Sequence, residues 1–76
     1  MIEDKLFYVL SKVFDVPIEA INEYSTVDTI KNWDSLTHVL LIAAIELNWG
    51  ILVSPDDAWQ IDSVAKIRDV LEAANG

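Results

Sequence analysis

The fold of this chain is constrained most by one apolar stretch, residues 35–48, in which Glu46 is the only formally charged side chain. The apolar region continues to Val53, but Glu46, Asn48 and Gly50 interrupt it, so it is too short and too polar to span a bilayer. As a helix, this stretch is apolar on nearly every side. Such a helix either lies at the centre of a small fold or carries a binding face.

Helical geometry divides the apolar residues of this stretch into two stripes. The first stripe follows His38 and comprises Leu41, Ile42, Ile45 and Trp49. It holds the largest side chains at four-residue spacing, so we predict that it faces the core. The second stripe comprises Leu36, Val39, Leu40, Ala43 and Leu47. We expect the second stripe to be partly exposed and available to partner proteins, unless the preceding loop and a short helix cover it.

The rest of the chain is also helical in pattern. Apolar spacing and helix-start signals predict four helices, over 2–14, 35–48, 56–60 and 63–74. Asp34 is a good N-cap for the second helix and Gly50 is a natural stop. The apolar run 51–53 has no partner strand, so we assign it to a packed loop. The sequence therefore predicts a single all-α domain over 1–76, a four-helix bundle with three longer helices, one short helix and a long first loop.

The connection over 15–34 is long for a compact domain, and loops of this length are often functional. Pro17 favours a short helical turn over 17–21. Four apolar residues should hold the loop on the core, and these are Ile18, Ile21, Val27 and Ile30. We expect the three tryptophans, Trp33, Trp49 and Trp59, to be packing residues.

The charge balance limits the possible partners. Thirteen acidic and five basic residues give a net charge of −8, which disfavours nucleic acid and anionic membrane surfaces. Basic protein surfaces are natural partners, and such encounters are steered electrostatically and weakened by salt. The segment from Met1 to Lys5 lacks the basic region and apolar run of a signal peptide. We expect a cytoplasmic monomer that does not insert into membranes.

Several kinds of chemistry find no support in the sequence. The chain has no cysteine, which excludes a disulfide, a thiolate metal site and a cysteine nucleophile. Asp56, Asp57 and Asp62 lack the spacing and glycine of a calcium loop, so we interpret them as caps and solvated acids. Ser35 and His38 lie three residues apart, but no nucleophile elbow precedes the serine and no oxyanion site is evident. We therefore predict no catalytic residue and no metal, and interpret His38 as a boundary residue or partner contact.

Ser35 is the candidate functional residue. It follows Asp34, the predicted cap, and so occupies the first position of the second helix. Backbone N–H groups and the helix dipole favour a phosphate or phosphodiester at such a position. Plain helix capping also explains an Asp-Ser pair, so this tripeptide alone is a weak signal.

The context of Ser35 resembles that of the acyl carrier proteins, a family of phosphopantetheine-binding carriers. The run 34–36, Asp-Ser-Leu, is similar to the family's attachment motif. The run 46–50, Glu-Leu-Asn-Trp-Gly, resembles the end of the family's second helix, and Ser63-Val64 followed by Ile67 resembles the start of its last helix. Length, acidity, helix order and the position of the serine also agree, so the resemblance covers nearly the whole chain.

This resemblance implies a function and a set of site residues. Ser35 would receive 4′-phosphopantetheine from coenzyme A through a phosphopantetheinyl transferase, with Asp34 and Leu36 completing the attachment site. The thiol of the arm would then hold acyl groups as thioesters for partner enzymes such as ligases, acyltransferases and synthases. The resemblance thus implies a carrier and not an enzyme. The residues we expect to contact these partners are Val39, Leu40, Ala43, Glu46 and Leu47.

Two departures from the family pattern bear on the partners. Thr37 stands where many members have an acidic residue, and Glu46 is the only acid of a helix that is often rich in glutamate. We therefore expect docking to be more apolar than usual, and we favour a specialised role such as polyketide, lipopeptide or glycolipid assembly over primary fatty-acid synthesis. Three alternatives stay open: a peptidyl or aminoacyl carrier, a non-covalent helical interaction module, and a small serine hydrolase.

Overall fold

The computed structural model describes residues 2–75, and side-chain burial over 4–74. It contains four α-helices, which are α1 (Ile2–Phe14), α2 (Ser35–Trp49), α3 (Pro55–Gln60) and α4 (Val64–Asn75). A single 3₁₀ turn, Ile18–Ala20, interrupts the long connection between α1 and α2. No β-strand occurs in the described range. The predicted all-α bundle of three longer helices and a short one is confirmed, and the predicted helix ends lie within one residue of those observed.

The first helix ends at a residue in the left-handed conformation. Asp15 has φ 55°, and the following Val16 N–H donates to the Ser11 carbonyl at 3.1 Å. The side-chain amide of Asn32 donates to the carbonyl of Phe14 at 2.7 Å. These bonds satisfy carbonyls that the helix end leaves without intrahelical partners. They also tie the end of α1 to the chain just before α2.

The core forms where α1, α2 and α4 meet beneath the long loop. Its buried residues are Leu6, Leu10, Phe14, Ile21, Ile30, Trp33, Leu41, Ile45, Ile61, Val64, Ile67 and Leu71. Burial of each such side chain contributes roughly 1.5–3 kcal/mol, which offsets the entropy cost of ordering a chain that has no disulfide. None of the described helices is both long and apolar enough to cross a membrane.

The long loop is held by a different set of contacts from the one predicted. Ile21 and Ile30 are buried as expected, but Ile18 and Val27 are about 40% exposed. The prediction that all four apolar residues pack on the core is therefore wrong for two of them. Backbone hydrogen bonds supply the missing attachment, because the Val27 N–H donates to the Asp62 carbonyl and the Val64 N–H donates to the Ser25 carbonyl.

The three tryptophans differ in their surroundings. Trp33 is buried and lies 5.0 Å from Phe14 between ring centroids. Trp49 packs against the core, and the Lys5 ammonium lies 4.9 Å from its ring centroid. Trp59 is 85% exposed, so its prediction as a packing residue is wrong. It lies on α3, a short helix with no buried residue. The buried residue nearest to this helix is Ile61, which directly follows it.

Candidate functional site

The start of α2 is fixed by a reciprocal pair of hydrogen bonds. The Asp34 carboxylate accepts from the Thr37 N–H at 2.9 Å, and the Thr37 hydroxyl accepts from the Asp34 N–H at 2.8 Å. The same hydroxyl lies 2.6 Å from the Asn32 carbonyl, to which it donates. Thr37, which departs from the family pattern, therefore completes a capping box. The sequence predicted Asp34 as the N-cap but not the role of Thr37, because the usual capping-box signature has Glu or Gln at this position.

The cap also determines the charge beside Ser35. The backbone N–H of Thr37 is the main cause of a lowered pKa of Asp34, and desolvation opposes it only in part. Asp34 is therefore ionised at neutral pH. Ser35 is the first residue of α2 and its side chain is exposed. Leu36, the third residue of the motif, is 70% exposed.

One apolar stripe of α2 faces the core, and the other faces solvent. Leu41 and Ile45 are fully buried, and Ile42 and Trp49 pack against the core. The residues of the second stripe are exposed, and these are Leu36, Val39, Leu40, Ala43 and Leu47. We call this second set the exposed apolar face. Leu47 is 85% exposed, so neither the first loop nor α3 covers this face in full.

Glu46 has an intramolecular partner that the sequence does not reveal. Its carboxylate accepts a hydrogen bond from the Val53 N–H at 2.9 Å, and its side chain is half-buried. The bond holds the segment 51–53 against the end of α2, where Ile51 and Val53 pack on the core. The only acid of α2 thus stabilises the loop that follows the helix.

A groove runs between α2 and α3 and begins at Asp34 and Ser35. Its volume is about 770 Å³, and its walls are mainly apolar. The lining residues are Val27, Trp33, Asp34, Ser35, His38, Val39, Ile42, Ala43, Glu46, Ala58, Trp59 and Ile61. The groove therefore joins the Ser35 position to part of the exposed apolar face. Trp59 is part of the candidate site because it lines this groove, although the sequence predicted it to be a packing residue.

His38 is half-buried in the wall of this groove, which agrees with its prediction as a boundary residue. Its Nδ1 accepts from the Trp33 indole N–H at 3.1 Å, and its Nε2 lies 2.8 Å from the Ala58 carbonyl. Both ring nitrogens are thus bonded to groups other than Ser35. The arrangement leaves no ring nitrogen to take the serine proton, which argues against a Ser–His nucleophilic pair.

The acids near α3 have ordinary structural roles. Ser54 caps the helix by accepting from the Asp57 N–H at 3.1 Å, and Asp56 and Asp57 lie exposed in its first turn. Acids at this end of a helix are favoured by its dipole. Among the described residues, no cluster of three or more histidine or acidic side chains could hold a metal ion.

Similarity to a known protein extends over nearly the whole chain. No family model matches the chain. A curated protein named acyl carrier protein, from Buchnera aphidicola subsp. Schizaphis graminum, is 35% identical over 75 residues. The similarity covers 97% of this chain and 94% of that relative, so it is not confined to the motif around the serine. The chain therefore belongs to the acyl carrier protein family, and it is a carrier and not an enzyme.

Proposed function

We propose that Ser35 is the attachment residue for 4′-phosphopantetheine, donated by coenzyme A. The observation that carries the proposal is an exposed serine at the first position of a capped helix. Backbone N–H groups and the helix dipole at this position favour the negative charge of a phosphodiester. The residues present therefore fit the group. When bound, the arm supplies a thiol that carries an acyl group as a thioester.

The surrounding residues have defined roles in this proposal. The bonds between Asp34 and Thr37 fix the first turn of α2, so the Ser35 hydroxyl is presented from a rigid element. Leu36 is exposed beside the serine and offers an apolar contact to the phosphopantetheinyl transferase. This transferase supplies the chemistry, because both ring nitrogens of His38 are bonded to groups other than Ser35.

We also propose that partner enzymes dock on the exposed apolar face of α2. Val39, Leu40, Ala43 and Leu47 would contact the enzymes that load, modify and unload the acyl group. Glu46 contributes less than its charge suggests, because its carboxylate is bonded to the Val53 N–H. This distribution of apolar and charged groups supports a specialised pathway over primary fatty-acid synthesis.

The groove between α2 and α3 is the proposed resting place for an apolar acyl group. It begins at Ser35, and its walls are mainly apolar. An acyl chain within it would bury apolar surface at about 25 cal/mol per Å², and its thioester would be shielded from water. A peptidyl or aminoacyl group is more polar and would gain less from this groove, so the geometry favours an acyl cargo.

Mass spectrometry tests the attachment directly. Apo-protein incubated with coenzyme A and a broad-specificity phosphopantetheinyl transferase should gain one phosphopantetheine group. The Ser35→Ala variant should gain none, and the control variant Ser11→Ala, altered on α1, should gain one. Modification of Ser35→Ala would overturn the assignment. Absence of any modification in the unaltered chain would favour the alternative of a non-covalent interaction module.

A further inference from the structure

His38 joins three separate parts of the molecule. The residue itself lies on α2, its Nδ1 is bonded to Trp33 of the long loop, and its Nε2 is bonded to Ala58 of α3. The imidazole also stacks on the Trp33 indole, with 6.2 Å between ring centroids. Trp33 is in turn buried against Phe14 of α1. The imidazole therefore connects α3 to a fixed part of the core.

The two bonds determine the tautomer of the neutral imidazole. The Trp33 indole nitrogen can only donate, so Nδ1 of His38 must accept. The Ala58 carbonyl can only accept, so Nε2 must donate. Only the neutral tautomer with its proton on Nε2 satisfies both conditions. An added proton on Nδ1 would direct one N–H group at another and remove the Trp33 bond.

The attachment of α3 makes this bond important. No side chain of α3 is buried, and burial acts only at its flanks, where Val53 and Ile61 pack on the core. The bond to the Ala58 carbonyl adds an attachment on the helix itself. Ala58 and Trp59 form one wall of the groove, and His38 and Val39 form part of the opposite wall. The bond from His38 to the Ala58 carbonyl crosses between these walls.

We propose that His38 is a positioning residue whose neutral Nε2–H form latches α3 to α2 and thereby keeps the groove beside Ser35 formed. The use of the latch to retain an acyl group depends on the function proposed above. The latch itself depends only on the bonds among His38, Trp33 and Ala58.

The charged groups around the latch do not replace its bonds. Those on the three elements that it joins are Asp15, Glu19, Glu23, Asp28, Lys31, Asp34, Glu46, Asp56 and Asp57. The carboxylates of Asp34 and Glu46, which line the same groove, already accept from the Thr37 and Val53 N–H groups. The other seven side chains are exposed. The latch therefore consists of the hydrogen bonds of His38 and not of an ion pair.

Nitrogen-15 NMR of the apo-protein tests the latch without any modification of Ser35. His38 is the only histidine, so its imidazole signals are unambiguous. They should report the Nε2–H tautomer, and the Trp33 indole N–H should be protected from exchange with solvent. A dominant Nδ1–H tautomer, or a Trp33 indole N–H that exchanges freely, would overturn the proposal.

Two variants separate positioning from packing. His38→Gln keeps a donor near Nε2, so the bond to the Ala58 carbonyl and the position of α3 should be kept. His38→Phe keeps an aromatic ring but has no donor for Ala58, so the carbon-13 shift of the Ala58 carbonyl should change. An Ala58 carbonyl signal that is the same in both variants would contradict the latch.

The functional consequence is measured on octanoyl-loaded protein. Hydroxylamine should cleave the thioester faster in His38→Phe, by up to about fivefold, whereas His38→Gln should resemble the unaltered chain. Equal cleavage rates would show that the latch does not retain cargo. If Ser35 cannot be loaded at all, the proposed attachment fails, and the NMR result still decides the latch.

Discussion

At the scale of single residues, the region around Ser35 is organised by side chains that bond to the backbone. Asp34 and Thr37 fix the start of α2, Asn32 fixes the end of α1, and Glu46 fixes the segment after α2. Each bond satisfies a backbone group that a helix end or loop would otherwise expose. Asp34 of this set, and Asp15 at the end of α1, allow direct tests of this local structure.

The Asp34 cap should make stability depend on pH. Its pKa is lowered in the folded protein by the Thr37 N–H, so the folded state binds the proton more weakly than the unfolded chain does. The stabilisation is therefore present above the unfolded value, about pH 4, and is lost as pH falls below it. We expect Asp34→Asn to be less stable than the unaltered chain at pH 6, with a difference that shrinks towards pH 3. Urea unfolding at several pH values measures it, and a constant difference would contradict the capping account.

Asp15 should respond to substitution according to its backbone. Its φ of 55° is left-handed, a conformation that asparagine tolerates, and its charge lies unfavourably close to the carbonyl end of α1. Asp15→Asn should stabilise the protein by roughly 0.3–1 kcal/mol because it removes that charge. Asp15→Ala removes the same charge, but alanine adopts the left-handed conformation less readily than aspartate or asparagine. This variant should therefore be less stable than the unaltered chain by about 1 kcal/mol. Thermal unfolding of both variants decides the point, and the reverse order of stability would refute this account of the helix end.

At the scale of secondary-structure elements, α2 combines a buried side and an exposed side that are both apolar. Leu41 and Ile45 lie in the core, whereas Leu40 and Leu47 face solvent. An exposed apolar face on a central helix is costly in solution unless a partner covers it. The face therefore has a role in docking in the proposed function, and this role can be tested separately from stability.

Charges placed on the exposed apolar face should impair partner turnover. We expect Leu40→Glu and Leu47→Glu to change the free energy of unfolding by no more than about 0.5 kcal/mol, because neither side chain is buried. Desolvating the new carboxylate in an apolar interface should reduce turnover by the partner enzyme about tenfold or more.

The control for this experiment is Leu52→Glu. Leu52 is 91% exposed but lies outside the exposed apolar face and the groove, so this variant should leave partner turnover unchanged. Normal turnover of both Leu40→Glu and Leu47→Glu would remove docking through this face.

The helices themselves follow from local signals in the sequence, whereas several site contacts do not. Asp34 and Gly50 bound α2 as predicted, because caps and stops act within a few residues. The exposure of Trp59 depends on how a six-residue helix sits on its neighbours, which periodicity does not encode. The bonds from His38 to Ala58 and from Glu46 to Val53 likewise require the tertiary fold to bring their partners together.

At the scale of the whole molecule, the net charge of −8 lies almost entirely outside α2, whose one acid is engaged. Long-range attraction to a basic partner and short-range apolar docking thus come from different residues. Salt should lower the association rate several-fold between about 0.05 and 0.5 M, because it screens exposed charges. The dissociation rate should change little. Stopped-flow kinetics with a partner enzyme measures both rates. A salt effect confined to the dissociation rate would contradict the assignment of long-range attraction and docking to different residues.

The central claim is that the hydroxyl of Ser35 bears the arm. Peptide mass spectrometry of the protein isolated from its own cells tests it most directly, because it locates the modification and identifies the native thioester in one measurement. We expect phosphopantetheine on the peptide that contains Ser35, with an acyl group on its thiol. An unmodified Ser35, or an arm on any other residue, would contradict the account.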